Sequence, residues 1–112
     1  MLPVVVMISS APRSPEARRA LHLARTLHAQ GRPVNILLLQ DAVLAAVGGD
    51  PTREPEDLGV LVSRAVPVYA CTHDLTLRGF APQDVLPGVE PADDHRIVDL
   101  MLAEGTHLLG CF

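Results

Sequence analysis

The sequence predicts an α/β fold, a mainly parallel sheet of four or five strands with helices packed on it. Three observations lead there. Short β-branched runs with no polar alternation mark strands buried on both faces. Amphipathic stretches separate those runs, and the links between the two kinds of segment are short. At 112 residues and 12.0 kDa the chain is expected to form one domain, 1–112.

The first strand is Val4 to Ile8, a continuous apolar run. Ser9 to Arg13 is a loop, and Ser14-Pro15-Glu16 then opens a helix. Ser14 can cap it, Pro15 suits the first helical position and Glu16 complements the dipole. Ala17, Ala20, Leu21, Ala24 and Leu27 follow at helical spacing, until Gly31 and Pro33 stop the helix. Val34 to Leu39 is the second strand, followed by a short helix over Ala42 to Val47 that Asp41 can cap. Asp50 to Pro55 reads as a polar loop and Glu56 to Arg64 as a helix. Val66 to Cys71 is the third strand, Thr72 to Arg78 a helix ending at Gly79, and Val85 to Val89 one short strand within a proline-rich loop. Asp93 to Glu104 is the last helix, and His107 to Phe112 closes the chain as a strand.

Composition narrows the function. A hydrophobic fraction of 48% excludes a disordered chain, and the absence of an 18-residue apolar run argues against a membrane span. The apolar first residues have neither a basic segment before them nor a cleavage site after, so the expected compartment is the cytoplasm. Net charge is −4, and all nine basic residues are arginine. No basic stripe stands out and aromatics are few, so no direct nucleic-acid contact is expected.

In parallel sheets reactive groups collect beyond the carboxyl ends of the strands. That rule selects Ser9, Ser10, Gln40, Asp41, Cys71, Thr72, His73 and Asp74 as candidate site residues, with Cys111 at the end of the last strand. Cys71 is the best placed. It ends a strand and begins a helix, where free main-chain N–H groups should stabilise a thiolate and lower its pKa. His73 can add positive charge or move a proton. The competing reading is an inert buried cysteine. Cys71-Thr72-His73 alone is too little for a metal site, since no second close pair supports it. No phosphate loop, dinucleotide fingerprint or nucleophile elbow occurs, so neither a cofactor nor a metal is expected. Two cysteines in a reducing compartment are thiols, and a Cys71–Cys111 bridge is disfavoured because another strand should separate them.

Several segments together resemble the DsrE/DsrF/DsrH-like family of small sulfur-relay proteins. Val34 to Val43 resembles its second strand and following turn, with Ala42 in place of the usual glycine. Cys71 followed by Arg78-Gly79 resembles its reactive-cysteine segment. Asp84 to Val89, Ile97 to Met101 and Leu108 to Phe112 resemble the approach to the last helix, that helix and the last strand. The resemblance implies a flavodoxin-like three-layer sandwich that assembles as a trimer or hexamer. It also implies persulfide sulfur carried on Cys71 and passed to a protein partner. Some family members lack the cysteine, so a small-ligand or nucleotide-binding module or a structural subunit stands as the alternative. A homo-oligomer is expected on a second ground: Val43, Leu44, Val47, Leu58, Val60, Leu61 and Val62 spread over more than one helix face, which subunit contact would cover.

Overall fold

Five parallel strands in the order β4-β3-β2-β1-β5 form one sheet. They are β1 (Val4–Ile8), β2 (Val34–Leu38), β3 (Val68–Cys71), β4 (Val89–Ala92) and β5 (His107–Leu109). The helices are α1 (Pro15–Ala29), α2 (Glu56–Ser63), α3 (Thr72–Leu77) and α4 (Asp94–Leu102). This computed structural model describes residues 2–47, 56–110 and 112, with the backbone alone for Glu56 and Asp57. The loop expected over Asp50 to Pro55 lies outside them, as does Cys111.

The register stacks Val6, Ile36 and Val68 in one row across β1, β2 and β3. All three are buried, as are Val5, Leu37 and Ala70 beside them. Burial on both faces is why these strands read as unbroken apolar runs. Right-handed crossovers put α1 and α2 on one face and send α4 back over the other, the three-layer arrangement. On α1 the buried stripe is Ala17, Ala20, Leu21 and Ala24, mostly small residues that let the helix sit close to the sheet. The Ser14 hydroxyl accepts from the Ala17 N–H at 3.1 Å, and Pro15 opens the helix as expected. Asp93 caps α4 in the same way, accepting from the Arg96 N–H at 2.8 Å.

Three expectations are corrected. The segment after β2 is a 3₁₀ helix over Gln40–Ala46 rather than an α-helix. Asp41 does not cap it: the preceding residue is Leu39, and the Asp41 carboxylate is held elsewhere. The fourth strand is Val89–Ala92 rather than Val85 to Val89, because Gly88 (φ +90°) breaks the run. Val85 makes only an isolated bridge to Val47. Pro91 is tolerated since β4 is an edge strand.

The excess apolar surface also lies elsewhere than expected. Val43, Val47, Leu58 and Leu61 are buried inside the subunit, so their many-sided pattern reflects a deep position. Among the described residues the exposed large apolar side chains are Leu2, Leu77, Val98, Leu102, Leu108 and Leu109. No helix of the described residues is long and apolar enough to cross a membrane.

Gly110 returns the chain to β1. Its φ is +108°, and a Cβ there would come within 2.6 Å of the Met7 carbonyl oxygen. Gly110→Ala is therefore expected to cost about 1–3 kcal/mol, read as a lower midpoint in urea unfolding. A midpoint equal to that of the parent protein would show that this turn relaxes freely.

Candidate functional site

The carboxyl ends of β2 and β3 lie side by side, since the two strands pair in register. That adjacency brings Gln40 and Asp41, just past β2, to Cys71, Thr72 and Asp74 at the β3–α3 junction. Cys71 is the residue before α3, with extended backbone angles (φ −62°, ψ 117°). Its side chain is only 4% exposed.

Asp74 ties the two ends together. Its Oδ2 accepts from the Gln40 main-chain N–H at 2.7 Å. Gln40 sits at φ +49°, a left-handed conformation that a residue with a Cβ rarely adopts, and this hydrogen bond helps to hold it. The same carboxylate lies close enough to the Cys71 thiol to act on its ionisation.

Arg78 completes the cluster from the end of α3. Its Nη2 and Nε donate to the same Asp41 oxygen at 2.8 and 3.1 Å. Its Nη1 donates to the Asp74 carbonyl at 3.1 Å and lies 3.9 Å from the Asp74 carboxylate. One guanidinium thus spans two carboxylates from different strand ends. As an exposed pair, Arg78–Asp41 contributes at most about 1 kcal/mol, so its role is positional. The sequence rule selected strand ends and so passed over Arg78, four residues beyond Asp74 at the end of a helix. The i, i+4 Asp–Arg spacing was the available signal.

The electrostatics of Cys71 reverse one expectation. Its thiol pKa is raised above the usual value. Burial is the largest cause, and the hydrogen bond to Asp74 and that carboxylate's negative charge add to it. The main-chain N–H groups of Asp74 and His73 pull the other way without prevailing. α3 is only six residues long, so its dipole is weak against desolvation.

A folded thiol that ionises later than the unfolded one stabilises the fold fully below the unfolded thiol's pKa. That contribution is lost as pH rises through the folded value. Stability is therefore expected to fall from about pH 8.5 upward more steeply in the parent protein than in Cys71→Ser, whose side chain does not ionise. Parallel slopes in denaturant unfolding across that range would show that the thiol is not held neutral.

The remaining candidates separate. The His73 side chain is exposed, and it is the His73 main-chain N–H that acts on Cys71. Thr72 is half-buried, its carbonyl accepting from the Thr76 hydroxyl at 3.0 Å. Ser9 and Ser10 are not part of the cluster. They follow β1, with β2 between that strand and β3. Their main-chain N–H groups donate to the Phe112 carbonyl at 2.8 and 3.1 Å, and the Ser10 hydroxyl donates to it at 3.0 Å. The strand order reverses between β1 and β5, where ligands gather in open α/β sheets. Here the Phe112 main chain fills that position.

The sequence model of the DsrE/DsrF-like family matches residues 3–109. The chain belongs to the DsrE/DsrF-like family. It is 35% identical over 101 residues to an uncharacterized protein of Methanopyrus kandleri, MK0008, covering 86% of this chain and 84% of that one. Among solved structures, the YchN protein of E. coli superposes with a TM-score of 0.78 at 23% identity, over 96% of this chain and 98% of its own. MTH1491 of Methanobacterium thermoautotrophicum, a protein of unknown function, gives 0.70 at 20% identity, over 97% and 100%. At those identities the two structures establish a shared fold. This DsrE/DsrF-like chain thus has a sulfur-relay type of fold, with Cys71 at the head of α3.

Proposed function

We propose that the protein is a cytoplasmic sulfur carrier that holds persulfide sulfur on Cys71 and passes it to a protein partner. The observation that carries this reading is the placement of Cys71. It stands at the end of β3 and the head of α3, with the Asp74 carboxylate near enough to act on its thiol. Asp74 takes the thiol proton, and the thiolate attacks the outer sulfur of a donor persulfide. The sulfur–sulfur bond of the donor breaks, the donor leaves as a thiolate, and a persulfide forms on Cys71. Transfer to the acceptor repeats the exchange with Cys71 as leaving group. Arg78 holds Asp74 and Asp41 in place, while Gln40, Thr72 and the exposed His73 form the rim that a partner meets. Ser9 and Ser10 serve the fold by holding Phe112. The exposed apolar residues Val98 and Leu102 on α4 and Leu108 and Leu109 on β5 favour a homo-oligomer, in the family's trimeric or hexameric manner.

Incubation with a cysteine desulfurase and cysteine, followed by intact-mass analysis, tests the carrier. The expected result is a gain of one sulfur atom that persists in Cys111→Ser and is lost in Cys71→Ser. The deep burial and raised pKa of Cys71 favour one rival, a non-catalytic subunit in which this thiol is core filling. Absence of any mass gain, with the thiol shown to react after unfolding, selects that rival.

A further inference from the structure

A basic furrow runs along α1 at the far end of the sheet from Cys71. His22, Arg25, Thr26 and Ala29 lie at i, i+3, i+4 and i+7 on one stripe of α1 and, with Arg64 just after α2, line a cavity of about 300 Å³. A second cavity of about 350 Å³ is lined by His28, Arg32 and the first residues of β2, with Ala65 to Pro67 opposite. The two adjoin through the chain neighbours His28–Ala29 and Arg64–Ala65. Their lining holds three arginines and two histidines and no carboxylate. That is a sharp local departure in a chain of net charge −4.

The guanidinium groups of Arg64 and Arg32 are available. Among the described residues Arg64 has no ion-pair partner, and Arg32 uses only its Nε, donating to Gln30 Oε1 at 3.1 Å. Guanidinium groups bind phosphate oxygens through paired N–H donors, which suits them to this role better than ammonium groups. His22 and Ala29 are seven residues apart, so the furrow extends about 10 Å along the helix. That length exceeds a single phosphate and suits a chain of phosphates.

We propose that this furrow binds the polyphosphate chain of a small molecule, with Arg64 and Arg32 as its principal contacts. The site is independent of the sulfur-carrier reading, because it opens at the amino ends of β2 and β3 whereas Cys71 lies at the carboxyl end. The full-length protein would be titrated by calorimetry with tripolyphosphate and with a nucleoside triphosphate, using sodium sulfate at matched ionic strength as control. Saturable tripolyphosphate binding that sulfate does not reproduce is expected, weakened at least tenfold in Arg32→Gln/Arg64→Gln and unchanged in Cys71→Ser. Equal affinity for the two ligands identifies the phosphate chain as the whole determinant. Tighter nucleotide binding, still lost in the double variant, adds a base contact to it. Binding no stronger than sulfate's, or undiminished in a double variant whose circular dichroism matches the parent, overturns the proposal.

Discussion

Replacing Asp74 by asparagine is expected to speed alkylation of Cys71 by on the order of tenfold at neutral pH. The carboxylate contributes twice to keeping the thiol neutral, by accepting its proton in a hydrogen bond and by repelling the thiolate. Asparagine preserves shape and can still accept from the Gln40 N–H, so the turn after β2 should survive. Burial remains the largest cause of the raised pKa, so the variant should still react more slowly than a free cysteine. Iodoacetamide labelling followed by mass spectrometry, in a Cys111→Ser background, measures the rate. A rate at or below that of the parent would show that Asp74 does not restrain the thiol. The same carboxylate that suppresses Cys71 at rest is the group placed to take its proton during transfer. A partner that shifts Asp74 or Arg78 on docking would therefore change the reactivity of the sulfur.

The largest stability effect is expected at Ile36. It is fully buried in β2, between Val6 and Val68 of the flanking strands. Ile36→Ala removes three carbons where neighbours on the two flanking strands cannot all close in, and should cost about 2–5 kcal/mol. Against a typical total of about 5–15 kcal/mol this is a large fraction, so the milder Ile36→Val, expected at about 0.5–1.5 kcal/mol, keeps the comparison measurable. Urea unfolding of both variants gives the two values. A loss below about 0.5 kcal/mol for alanine would mean that the row across the three central strands repacks.

Local signals were strong where a side chain acts on its own neighbourhood. Ser14-Pro15-Glu16 announces the start of α1 because the capping contact is three residues long, and the structure forms it. The three central strands are legible because burial on both faces leaves no polar alternation. Cys71 was found by the same kind of reasoning, from a strand end followed by a helix start. Asp41 misled it, being equally suited to capping a helix and to pairing with an arginine 37 residues away. Nothing within its own turn decides between them.

Chain order and local pattern thus carried the α/β class, most of the elements and the cysteine worth testing. Tertiary structure alone decided how that cysteine behaves, because its pKa depends on how deeply the β3–α3 junction is buried and on which carboxylate packs against it. Only the strand order could separate Ser9 and Ser10 from the cluster and bring Gln40 and Asp41 into it. Only the packing of α1 beside α2 could bring Arg64 to the arginine and histidine stripe of α1. Burial and charge proximity are properties of residues distant along the chain, and no local pattern encodes them.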